Sequence, residues 1–129
     1  MNTKLLMSAS ALFLGVCAMF LSFMPGELLQ FFSAAGPVSQ LALQLLGAVY
    51  FGFAMLNWMA RGNLIGGIYS KPVSTGNLAH FMVGGLALVK IAAKSPQAPV
   101  IWIPAVIFSV FAMLFARVSF THPAPETGD

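Results

Sequence analysis

LLMSASALFLGVCAMFLSFM, residues 5–24, runs for 20 residues without a single charged side chain. Wound as a helix at 1.5 Å per residue it is about 30 Å long, the thickness of a bilayer's hydrocarbon core. Pro25-Gly26-Glu27 closes the run with turn-forming and charged residues. A secretory leader would carry a shorter apolar stretch and a small-residue cleavage site. This run has neither, so it reads as a retained first span.

Three more apolar runs lie downstream, at about 38–60, 75–93 and 100–119. Arg61 ends the second, Lys94 the third, and Arg117 falls at the end of the fourth. The expected fold is therefore all-α and membrane-embedded, a compact bundle of four transmembrane helices forming one domain over residues 1–120. Residues 121–129, with two prolines and no apolar run, form a polar tail. Between the first two spans, Glu27, Gln30, Ser33 and Ala34 are assigned to one side of a short helix and Leu28, Leu29, Phe31 and Phe32 to the other. That predicts an amphipathic interfacial helix over about 27–35. In residues 62–74, Gly66-Gly67 and Lys71-Pro72 are turn chemistry, while Leu64, Ile65, Ile68 and Tyr69 keep the segment against the membrane surface.

Composition supports the same reading. Of the 129 residues, 59% are hydrophobic and 7% charged, against roughly 25% charged in soluble domains. A soluble chain this short could not bury so much apolar surface, so lipid is the first partner. The net charge of +3 comes from six scattered Lys and Arg residues; nucleic-acid binding needs them clustered. They serve better as orientation signals. Lys4, Arg61, Lys71 and Arg117 fall on one side, and Lys90 and Lys94 on the other. The positive-inside rule then places both termini in the cytoplasm, with a bacterial inner membrane as the expected location.

Helical spacing lines small residues into stripes. They are Ser8, Ala11, Gly15, Ala18 and Ser22 on the first span; Asn77, His80, Gly84 and Ala87 on the third; and Ala105, Ser109, Ala112, Ala116 and Ser119 on the fourth. The second span carries Gln40, Gln44, Gly47, Tyr50, Ala54 and Asn57 on one face, with Leu45, Leu46, Val49, Phe53 and Leu56 opposite. Small residues let helices approach closely in lipid, so Gly15, Gly47 and Gly84 are expected to face other helices. The same stripes would equally serve self-association or other membrane subunits.

Polar groups inside a span are the candidate site. Tyr50, Asn57, Asn77 and His80 form the candidate ligand-binding cluster, with Asn57 and His80 expected as neighbours near the cytoplasmic ends of spans two and three. Interhelical hydrogen bonding alone also accounts for them. No span holds a carboxylate, which argues against proton-coupled export. The single Cys17 excludes a dithiol pair. One intramembrane histidine excludes a bis-histidine haem site, and no metal-ligand, nucleotide or nucleophile–base motif is visible. The expectation is no catalytic residue, no metal and no cofactor. The leading function is that of a non-enzymatic accessory or packing subunit, or a homo-oligomer. The alternative is a small transporter or binder of a neutral or lipid-like ligand held near Asn57 and His80.

One family shares this layout. The first span closes on Pro25 and Leu28-Leu29, the second holds Gly47-Ala48-Val49-Tyr50-Phe51-Gly52-Phe53, and a Lys71-Pro72 turn leads into a Gly-rich third span. In these features the chain resembles the small DoxX-like four-helix membrane proteins. The resemblance implies a four-helix membrane fold and carries no site residue.

Overall fold

The structure, a computed structural model, describes residues 2–32, 36–63 and 70–121. All regular structure among them is helical: α1 (Thr3–Phe23), α2 (Pro25–Phe31), α3 (Pro37–Ala60), α4 (Lys71–Lys94) and α5 (Trp102–Phe120). A 3-10 turn at Pro99–Ile101 leads into α5. Counting that turn with α5, four of these helices are long and apolar enough to cross a membrane. The chain is thus an integral membrane protein by length and hydropathy, as the sequence predicts.

The ends of each helix have local causes. Asn2 caps α1, its side-chain oxygen accepting from the Leu5 backbone N–H at 3.1 Å. Gly36 precedes α3 at φ 154°, a conformation L side chains rarely adopt. Pro37 then takes the first helical position, where no intrahelical N–H is due. The same logic corrects the reading of Lys71-Pro72. These residues are not a turn but the first two of α4, because proline's missing N–H costs nothing in a first turn. The third span accordingly begins four residues earlier than the apolar run alone indicates. Pro104 sits within the first turn of α5 for the same reason.

The interfacial helix is shorter than expected. It covers Pro25–Phe31, and residues 33–35 lie outside the described residues, as do 64–69 of the expected surface segment and 122–129 of the tail. Leu28 and Leu29 are half-buried while Glu27 and Gln30 are exposed. Phe31, however, follows Glu27 by four residues, which puts both on one side. It is 67% exposed and meets Phe32 edge-on at 5.1 Å.

The chain divides into two compact units, an N-terminal one over Asn2–Gly62 and a C-terminal one from Asn63 onward. In the N-terminal unit α1 packs on α3. Gly15 faces Ala54, a Cβ there lying 3.8 Å from that methyl, and Gly47 faces Leu21 and Ser22. The partner's number falls along α3 as the residue number rises along α1, so the pair is antiparallel. In the C-terminal unit α4 packs on α5, with Gly84 and Gly85 both against Phe108. All three glycines expected to face other helices do so.

The buried faces are not quite the expected stripes. Ala11 and Ala18 are buried on α1, but so are Met7, Ser10 and Leu14. Gly47, Ala54 and Asn57 are buried on α3 while Gln40 and Gln44 are exposed. On α4 the buried line runs through Ser74, Asn77, Phe81, Gly85 and Ala92, leaving His80 and Gly84 at its edge and Ala87 exposed. On α5 it holds Ala105, Phe108, Phe115 and Val118. The α4 and α5 stripes are therefore turned by one residue, about 100°. Large rings fill the C-terminal unit, and the small residues beside them make room. The opposite face of α3 behaves as expected at Leu45, Leu46, Val49 and Leu56, all exposed, but Phe53 is half-buried.

Candidate functional site

Each unit carries one polar knot in an apolar surrounding. In the N-terminal unit Asn57 and Ser10 are both fully buried. The Asn57 amide nitrogen donates to Ser10 Oγ at 3.0 Å, and that hydroxyl donates in turn to the Met7 carbonyl at 3.0 Å. One hydroxyl thus joins α3 to α1 while satisfying its own proton on the preceding turn. Tyr50, half-buried, lies two turns from Asn57 on the same helix. At the end of α3, the Arg61 guanidinium lies 3.6 Å over the Trp58 ring and donates to the Trp58 carbonyl at 2.7 Å. A cation stacked on an indole at a span boundary suits the headgroup region.

In the C-terminal unit the knot is built inside α4. Ser74 Oγ donates to the Lys71 carbonyl at 3.0 Å, and the Asn77 amide donates to the Val73 carbonyl at 2.9 Å. Both side chains are fully buried. His80, half-buried, stands at the rim of a ring cluster, with centroids 5.1 Å from Phe81 and 5.7 Å from Phe108. Phe81 is its hub: it stacks on Phe111 at 4.8 Å and Phe115 at 5.7 Å, and meets Phe108 edge-on at 5.2 Å.

The candidate cluster divides evenly. Tyr50 and Asn57 belong to the N-terminal unit, Asn77 and His80 to the C-terminal one, and each has neighbours of its own there. Sequence reading missed Ser10, Ser74 and Phe81. Ser10 carried a usable signal, because it sits seven residues into α1 while Asn57 sits three residues before the end of the antiparallel α3. Both positions fall in the same end of the antiparallel pair, within about two turns of the helix ends, and an intramembrane amide needs a partner there.

A cavity of about 330 Å³ opens elsewhere in the N-terminal unit, lined by Ala18, Met19, Ser22 and Phe23 of α1 and Ala48 and Phe51 of α3. Its walls are apolar apart from the Ser22 hydroxyl, and it does not include Tyr50 or Asn57. Among the described residues no three His, Cys, Asp or Glu side chains gather in a way that could hold a metal ion. Cys17 is half-buried and free.

The chain matches no protein-family model, no curated protein and no solved structure.

Ser10→Ala should destabilise the protein by about 1 to 3 kcal/mol, because it strands a buried amide N–H of Asn57. Ser8, half-buried one position off that face, supplies the control. Denaturant unfolding in micelles measures both, and equal costs for Ser10→Ala and Ser8→Ala would remove the bond from the account.

Proposed function

We propose that this protein is a non-enzymatic membrane subunit, an accessory or packing component of a larger membrane assembly or a homo-oligomer, resident in a bacterial cytoplasmic membrane. The observation that supports it is how its buried polar groups are used. Asn57, Ser10, Ser74 and Asn77 all hydrogen-bond to a neighbouring helix or to their own backbone. Asn57 to Ser10 ties α3 to α1, and the other three are committed to carbonyls of their own helix, so these four side chains serve structure. No catalytic residue, metal or cofactor is assigned in this reading, and nucleic acid has no part in it. The DoxX-like layout belongs to the same reading. Both termini face the cytoplasm, from the distribution of Lys and Arg.

Purification from native membranes in mild detergent, followed by native mass spectrometry, tests the role. A stoichiometric protein partner or a self-oligomer is expected. A monomer that turns over a substrate would overturn the reading. For the orientation, a cysteine placed at Asn63 in a Cys17→Ala background should resist impermeant thiol reagents in intact cells. Labelling from outside would reverse it.

A second reading has one observation in its favour. The apolar cavity beside Ala18 and Phe51 has room for part of an acyl chain or another neutral lipid-like ligand. Retention of one lipid by the monomer through detergent exchange would favour it. That ligand would lie by Ser22 rather than by Asn57 and His80.

A further inference from the structure

Two cations stand together at one end of the pair that α1 makes with α3. The bond between Ser10 and Asn57 fixes the register of that pair. Lys4 lies six residues back along α1 from Ser10, about 9 Å, and Arg61 four residues on along α3 from Asn57, about 6 Å. Because the helices are antiparallel, both steps lead to the same end. Their sides match as well as their heights. Lys4 precedes the buried Ala11 by seven residues and Arg61 follows the buried Ala54 by seven, which is two turns in each case. Each cation thus continues a line that its helix turns towards the other. Like charges so placed repel, and nothing described in the unit offsets them. Its one described carboxylate, Glu27, opens α2 beyond the far end of α1.

The Arg61 guanidinium is also held in position. It lies 3.6 Å over the Trp58 ring and spends one N–H on the Trp58 carbonyl at 2.7 Å. No other acceptor among the described residues takes the rest of its donors.

We propose that Lys4 and Arg61 form a binding site for the phosphate of an anionic phospholipid. The planar guanidinium fork matches two phosphate oxygens at once, and the Lys4 ammonium adds a second positive charge. Trp58 identifies the source of that phosphate. Its half-exposed indole belongs at the level of the lipid headgroups, so the cation stacked on it stands where lipid phosphates lie. A second copy of the chain would bring the same positive charges and is repelled. A zwitterionic lipid carries an ammonium that finds no carboxylate at this end among the unit's described residues. The site holds for either orientation of the chain in the membrane, and for either reading of its function.

Native mass spectrometry of the full chain in detergent, titrated with a phosphatidylglycerol or with a phosphatidylcholine of the same acyl chains, tests the site. The wild type should bind the phosphatidylglycerol more tightly. Arg61→Gln should weaken that binding at least about tenfold, the scale of a lost charge-assisted hydrogen bond. Lys4→Gln should weaken it roughly fivefold, the scale of one cation near a membrane surface. Arg61→Lys keeps the charge and loses the fork, so it should also bind roughly fivefold more weakly. Lys90→Gln, which removes an exposed cation of α4, should bind as the wild type does. All four variants should keep the wild-type helicity, since no buried side chain is changed. Wild-type binding by Arg61→Lys would reduce the effect to general charge attraction and overturn the site, as would equal losses for Arg61→Gln and Lys90→Gln. Displacement of the lipid by millimolar inorganic phosphate would show a site for the free anion instead. Removing residues 122–129 should leave the affinity unchanged; a gain would assign the cations to the tail carboxylates Glu126 and Asp129 and overturn the proposal.

Discussion

Gly47→Leu is expected to abolish the packing of α1 on α3, at a cost of at least about 3 kcal/mol, the upper end of overpacking penalties. The atoms at the contact explain the size. A single Cβ at position 47 would lie 3.1 Å from the Ser22 backbone nitrogen and 3.1 Å from Leu21 Cβ, and it would overlap Ser22 Oγ. The hydroxyl can rotate away, but the backbone nitrogen moves only if the whole helix backs off. Backing off weakens every contact that depends on this approach, including the contact of Gly15 with Ala54. Gly47→Ala should already cost about 1 kcal/mol or more. Val49→Leu, two residues away on an exposed position, should fall within about 0.5 kcal/mol of wild type. Unfolding in mixed micelles measures all three. Equal tolerance of leucine at 47 and 49 would show that α1 and α3 meet on different faces.

Phe81→Ala should be the most damaging change in the C-terminal unit, at about 3 kcal/mol. Phenylalanine-to-alanine truncation in water-soluble cores costs roughly 3 to 5 kcal/mol. Part of that is transfer out of water, which has little meaning where the surroundings are lipid. What remains is lost dispersion and an unfilled cavity. Both are large here, because Phe81 has no exposed surface and touches the rings of Phe108, Phe111 and Phe115. Phe81→Leu keeps most of the volume and should cost less than about 1.5 kcal/mol. Phe120→Ala, 80% exposed, should be close to neutral. Thermal unfolding followed by far-ultraviolet circular dichroism would order the three, and a Phe120 effect equal to that of Phe81 would discard the ring cluster as a core.

What the sequence makes legible follows from how each property is encoded. Span number and position come from the length and hydropathy of a continuous run, and lipid enforces both. α1 and α3 accordingly begin and end within two residues of their apolar runs. Helix faces are encoded by which residues a neighbour demands, and that is only half-written in one helix. Counting small residues on α4 selects His80 and Gly84, yet the buried line passes through Phe81 and Gly85. The reason lies on α5: Phe108 needs a recess, so Gly84 makes room at the edge of the line while the large ring of Phe81 occupies its centre. Polar pairing is harder still. Asn57 is conspicuous because amides are rare in a span, whereas its partner Ser10 is one of several serines in α1 and looks no different from Ser8.

The back-bond from Ser10 to Met7 also sets an order for biogenesis. Ser10 and Asn57 are 47 residues apart, so α1 leaves the ribosome well before its partner exists. With its hydroxyl proton already placed on the Met7 carbonyl, Ser10 enters the bilayer with no unmet donor of its own, and its lone pairs are a ready acceptor. Asn57 arrives later with an amide that lipid cannot satisfy, and the helix already inserted offers it a berth. The helix made first thus carries the acceptor that the later one needs.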